Sequence, residues 1–205
     1  MDQTPILFQC SHRNQGNSNS AVASFSSGMR AEGGEGHVYS LRKLDIKPCR
    51  ACGMCAKDPA SRCPLGPKDY AADVFADMLQ APFLFFAAPI YFYHLPSRLK
   101  LLIDRSQWIY SRRMKGDPEI VNLPKRPAYV ALFAGRPQGE KLFEGSLLTL
   151  KYFLESFNFE IKEALTFRGY EKIADYETNP EAGLKLRGLG MQAMRECTAR
   201  AGKGE

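Results

Sequence analysis

The sequence predicts an α/β domain built on an open, mostly parallel sheet of five strands with helices on both faces. Three observations point there. Apolar strand-like runs alternate five times with segments of helical spacing, the pattern of successive β-α units. Two of the runs, "PFLFFAAPIYF" and "PAYVALFAG", are almost continuously apolar, as expected of strands buried on both faces of a parallel sheet. A chain of 205 residues, 44% of them hydrophobic, suits one core, so residues 1–205 are read as a single domain.

Taken in order, Ile6 to Cys10 is the first strand, and "SHRNQGNSNS" is a polar loop leading into a helix marked by Ala21, Val22, Phe25 and Met29. After a glycine-rich turn, His37 to Leu41 is the second strand. A cysteine-rich connection, residues 47–67, precedes a helix over Tyr70 to Leu79. The run from Pro82 is the third strand, followed by a helix over Leu95 to Ser106. Residues 107–126, with Gly116, Pro118 and Pro124, break the alternation and read as an insertion, either a surface excursion or a lid or subunit contact. Residues 127–135 form the fourth strand, Leu142 to Phe157 a helix with one apolar face, and Phe159 to Phe167 the fifth strand. Asn179 and Pro180 read as N-cap and first position of a last helix reaching Ala201. Right-handed crossovers then bring every loop that follows a strand to one rim of the sheet.

Lys and Arg outnumber Asp and Glu by 28 to 22 without forming a basic run, so no nucleic-acid partner is expected. "MDQTPILFQC" lacks the pattern of a leader. The most apolar stretch, Pro82 to Tyr93, falls short of the roughly twenty residues that a bilayer demands. A cytoplasmic protein with no membrane partner is the expectation. In that reducing setting clustered cysteines read as metal ligands or redox groups.

Ser11, Arg13, Asn17 and Ser18 precede or open a helix, where free N–H groups and the helix dipole attract anions; hydroxyls and a guanidinium suit a phosphate. Alone, this segment reads equally well as a polar capping loop that binds nothing. Neither Gly-x-Gly-x-x-Gly nor Gly-x-x-x-x-Gly-Lys is present. Cys49, Cys52, Cys55 and Cys63 form C-x2-C-x2-C-x7-C, followed by Pro64. Three thiolates at three-residue spacing with a fourth from a short excursion suit a [4Fe-4S] cluster. Structural zinc more often takes two well-separated pairs. Cys10 and Cys197 read as buried small apolar residues.

"CSHRNQGNS" and "APIYFYHLPSRLKLLIDR" resemble two signatures of flavodoxin-like NAD(P)H-dependent FMN reductases: a phosphate loop, and a Ser-Pro-Val-Tyr-Phe turn before a helix ending in Asp-Arg. The resemblance implies a flavodoxin-like three-layer α/β/α fold with strand order 2-1-3-4-5. It also implies FMN, with its phosphate at Ser11, Arg13, Asn17 and Ser18 and its ring against Pro89, Ile90, Tyr91 and Phe92. "AGRPQGE" is more loosely similar to the loop closing the other side of the ring, with Gly135 as the contact. Cys10 and His12 replace the usual Gly and Pro, and Tyr93 stands where a small residue is common. Tyr93 or His94 is a candidate for tuning the flavin; no catalytic residue is assigned.

The cysteine motif is similar to that of the iron-sulfur flavoproteins within this superfamily, although related FMN reductases carry a comparable segment without a cluster. The reading is an iron-sulfur flavoprotein that moves electrons between a low-potential donor and an acceptor through FMN and a [4Fe-4S] cluster. Its alternatives are an NAD(P)H-dependent FMN or quinone reductase without a cluster, and a zinc-stabilised binding module. The cysteine segment follows strand two and is therefore expected on the flavin rim, within reach of flavin in its own or a neighbouring subunit. The family habit implies a homodimer or homotetramer.

Overall fold

The computed structural model of the protein describes residues 4–202. Five strands, β1 (Ile6–Gln9), β2 (His37–Ser40), β3 (Leu84–Pro89), β4 (Arg126–Ala134) and β5 (Phe159–Arg168), pair in parallel in the order β2-β1-β3-β4-β5. This is the order the resemblance implies. The helices are α1 (Asn17–Ala31), α2 (Met54–Lys57), α3 (Ala71–Gln80), α4 (Ser97–Arg105), α5 (Gln107–Met114), α6 (Pro118–Val121), α7 (Glu144–Glu155), α8 (Ile173–Thr178) and α9 (Pro180–Ala201).

The central strands are buried because their alternating residues feed two cores. Phe8, Phe86, Val130 and Leu132 face a cluster that includes residues of α3, α4 and α7, whereas Leu7, Phe85, Tyr129 and Ala131 face residues of α1 and α9. Parallel register sets Phe8 beside both Tyr39 and Phe86. The rings stack with centroids 5.8 and 4.5 Å apart, adding directional packing to the area buried. On the second face, α1 and α9 cross at glycines: a Cβ on Gly28 would lie 2.0 Å from Arg187 O, and one on Gly190 would lie 2.1 Å from Phe25 O. Asn179 does precede α9, but its side chain makes no capping bond.

Most of the segment read as an insertion is helical. Ile109 of α5 and Ile120 of α6 are fully buried in the first core. Asp117 caps α6 by accepting from Glu119 N, and its carboxylate pairs with Arg112. Asn158 Nδ2 donates to the carbonyls of Ile120 and Leu123, tying the segment to the turn before β5. No helix among the described residues is long and apolar enough to cross a membrane.

Candidate functional site

At the carboxyl ends of β1, β3 and β4 lies a cleft of about 470 Å³. One end is the β1–α1 loop. Ser11 is buried, and its Oγ accepts from Arg13 N at 3.1 Å, which folds the loop back on itself. Arg13 Nη1 donates to Glu171 O (2.7 Å) and Asn17 Nδ2 to Tyr170 O (3.1 Å), so the first loop is tied to the loop after β5. Asn17 Oδ1 is buried without a hydrogen-bond partner. Together with the unpaired N–H groups that open any helix, it leaves this end short of ligands, as a polar group bound there would require.

The opposite wall is the turn after β3. Ile90 N donates to Phe133 O (2.7 Å), holding the turn to β4. Tyr91 and His94 exchange both backbone hydrogen bonds at 2.9 Å across Phe92 and Tyr93, whose φ angles are 49° and 63°. Two consecutive left-handed residues without glycine are costly, roughly 1–3 kcal/mol each. The turn nevertheless fixes Tyr91 on the cleft and turns Phe92 entirely outward, at 102% relative exposure. Gly135 lies close to the Glu171 side chain, which a Cβ would approach to 3.2 Å.

Ser11, Arg13, Asn17, Ser18, Pro89, Ile90, Tyr91 and Gly135 therefore line one cleft, and Phe92 does not. Arg136, from the "AGRPQGE" loop, also lines it, as do Phe133, Tyr170 and Glu171, which were not anticipated. The rule that loops after strands share a rim was a signal for Tyr170 and Glu171, which follow β5. Burial, then the charge of Glu181, pushes the Tyr170 hydroxyl up, so it stays neutral. Tyr93 accepts from Arg136 Nη1 (3.1 Å). His94 Nδ1 accepts from Leu95 N (2.9 Å) and its Nε2 lies 3.2 Å from Thr149 Oγ1, which directs this ring toward α7.

The cysteine segment lines a cavity that shares no lining residue with that cleft. The chain just before it lies along α4, where Arg98 Nη1 donates to Leu44 O, and at the segment's first residue the Lys47 carbonyl accepts from Arg105 at the other end of that helix. Arg98 and Arg105 are seven positions apart on α4, about 10 Å along its axis. The thiols thus dock on the far end of α4 and on α5. The physical reason is a buried anchor: Arg105 pairs with Asp69, the two side chains being 1% and 0% exposed. Burial opposes ionisation of Asp69, yet donors from Arg105, Lys47 N and Ala71 N outweigh it and hold the carboxyl below the usual carboxylate range.

Farther along, Ser111 Oγ of α5 donates to Cys55 O (3.0 Å), and Lys115 Nζ donates to Asp58 O (2.6 Å). The former insertion is the bed on which the segment lies. Cys49, Cys52, Cys55 and Cys63 all line one cavity of about 1020 Å³ with Trp108 and Met54. Cys49 and Cys52 are exposed, Cys55 and Cys63 half-buried. Burial, with the neighbouring Cys63 and Cys49, pushes the Cys55 thiol up. Among the described residues no group of three or more His, Cys, Asp or Glu is gathered to hold a metal ion. The donor set is nevertheless four thiols on a shared, roomy wall, which fits a polynuclear sulfide core better than one tetrahedral ion with ligands about 2.3 Å away. Cys10 is fully buried, its Sγ 3.6 Å from Phe8 O and its thiol pushed far up by burial; Cys197 is half-buried.

A family model described as NADPH-dependent FMN reductase matches residues 6–142. An iron-sulfur flavoprotein of Methanocaldococcus jannaschii is 30% identical over 97 residues, 47% of this chain and 48% of that protein. The chain thus spans about half the length of the curated relative it matches. Among solved structures, the NAD(P)H:quinone oxidoreductase of Methanothermobacter marburgensis is similar at a TM-score of 0.65 and 17% identity, with 94% of each chain covered. A flavone reductase is similar at a TM-score of 0.69 and 12% identity, over 96% of this chain and 63% of that one. An FMN-dependent NADH-azoreductase of Bacillus anthracis, solved with FMN, is similar at 0.63 and 12%, over 94% and 100%. At such identities the likeness to these structures concerns the fold.

Proposed function

The chain belongs to the family of NADPH-dependent FMN reductases, and from that premise we propose that it is an FMN-dependent oxidoreductase which passes electrons between a low-potential donor and an acceptor through FMN and a [4Fe-4S] cluster. The observation that carries the flavin half is that eight of the nine residues matched to a flavin site line one cleft. Bound FMN would exchange electrons singly or in pairs. The chain's own part is to hold and orient it. Arg13, Ser11, Ser18 and the α1 N-terminus would take the phosphate, and the unpaired Asn17 Oδ1 would accept a hydroxyl of the chain beside it. Pro89, Ile90 and Tyr91 would form an apolar wall for the ring, with the Gly135 loop opposite.

Arg13→Ala is expected to raise the FMN dissociation constant about tenfold or more, the loss of one charge-assisted hydrogen bond of roughly 1.5 kcal/mol. A fluorescence titration of flavin-free protein measures it, and unchanged affinity would remove Arg13 from the site.

Cys49, Cys52, Cys55 and Cys63 would hold the cluster, which supplies one-electron transfer. The 30%-identical relative is named an iron-sulfur flavoprotein, which favours this reading. Because the thiols and the cleft line separate cavities with no lining residue in common, electron exchange with flavin of a neighbouring subunit, in a homodimer or homotetramer, is the arrangement favoured. Cys52→Ala is expected to lower iron per subunit while flavin per subunit stays level, in anaerobic iron, sulfide and flavin analysis.

The second reading is an NAD(P)H-dependent reductase of flavins or quinones with unmetallated cysteines. It draws on the absence, among the described residues, of a metal-ready group. The absorption spectrum of anaerobically purified protein separates them: flavin bands with a broad iron-sulfur shoulder, or flavin bands alone.

A further inference from the structure

Arg105 does more at the cysteine cavity than close a salt bridge. Its side chain is 1% exposed and lines the cavity that the four thiols share. Nη1 donates to Asp69 and to Lys47 O at 3.0 Å, which joins the two ends of the segment at one guanidinium. Nη2 donates to Cys63 Sγ at 3.7 Å, and Nε is buried with no partner. Asp69 is already occupied by the N–H groups of Lys47 (2.9 Å) and Ala71 (3.1 Å), so the pair is fixed from several sides and the Nη2 fork has one direction to face.

An N–H aimed at a ligand sulfur stabilises the state with more negative charge, and so raises the reduction potential of the group that the sulfur holds. Because Asp69 offsets the formal charge of Arg105, the surviving influence on the sulfur is that directed hydrogen bond. We propose that Arg105 is a positioning residue for the cysteine-held group: its bond to Cys63 Sγ sets the reduction potential, while its bonds to Lys47 O and Asp69 fix the direction in which Nη2 faces. The inference rests on the cluster reading above. The couple concerned takes up one electron, with no bond made or broken and no proton moved at the sulfur.

The test is a reductive titration of anaerobically purified protein with dithionite, following the iron-sulfur signal by electron paramagnetic resonance and the flavin by absorbance. Arg105→Lys keeps a charge beside Asp69 but has no fork to reach Cys63 as well. Arg105→Met combined with Asp69→Leu removes both charges together and serves if the lysine variant folds poorly. In both, iron and sulfide per subunit are expected to match the parent, the iron-sulfur potential to move to more negative values, and the flavin potential to stay put. An unshifted iron-sulfur potential overturns the inference, as does an equal shift of both couples. Loss of iron from both variants would leave Arg105 a structural clamp and overturn the tuning role. A parent protein without iron sinks the cluster reading and this inference together, whereas a parent with iron and an unmoved potential sinks the inference alone.

Discussion

At pH 7, Asp69→Asn is expected to lower the free energy of unfolding by about 3 kcal/mol, the low end of the range for removing one partner of a buried ion pair. The asparagine keeps an acceptor but leaves the 1%-exposed Arg105 with an uncompensated charge. The pH dependence has a definite sign. Burial works against the Asp69 anion, but its donors prevail and the folded-state pKa is depressed. Its contribution is therefore complete above the unfolded carboxyl value of about 3.9 and is lost as pH falls through the folded value. The gap between parent and variant should narrow on acidification below about pH 4. Urea unfolding at pH 7 and pH 3 measures it, and an equal gap at both would assign the loss to something other than this carboxylate.

Gly28→Ala is expected to destabilise the protein by about 3 kcal/mol, the upper end for overpacking a well-filled contact. The added methyl would meet a backbone oxygen, Arg187 O, at 2.0 Å, and backbone of a helix does not swing aside as a side chain does. Helix propensity alone would favour the substitution by nearly 1 kcal/mol, so a loss of stability isolates the interhelical clash. The reverse sign in thermal unfolding would mean that α1 and α9 separate at little cost.

The parallel sheet was legible because β3 and β4 are apolar on both faces and because polar, helix-opening segments separate the runs, whereas its strand order came from the family resemblance. Ser11, Arg13, Asn17 and Ser18, close together in sequence, do line one cleft with the turn after β3. Phe133 was hidden, since a strand-terminal aromatic reads as core until the loop beside it is placed. That Phe92 faces outward was not legible, because sequence does not reveal the two successive left-handed residues that turn it. The helical character of residues 107–121 was obscured by shortness: α5 and α6 have eight and four residues, broken by Gly116 and Pro118, too few turns for a periodic signal. Arg105 and Asp69 look like surface residues in a string of letters, so the buried pair that anchors the cysteine segment to α4 was not legible.

Helix α4 acts as a ruler. Its first turn touches the chain just before the cysteine segment at Leu44 and its last residue touches the segment at Lys47, so the spacing of these two guanidinium anchors is a helical rise set by backbone hydrogen bonds. Substitutions at either end leave that length constant. Inserting a single residue in α4 would lengthen it by only about 1.5 Å, but would also rotate Arg105 by roughly 100° away from Cys63.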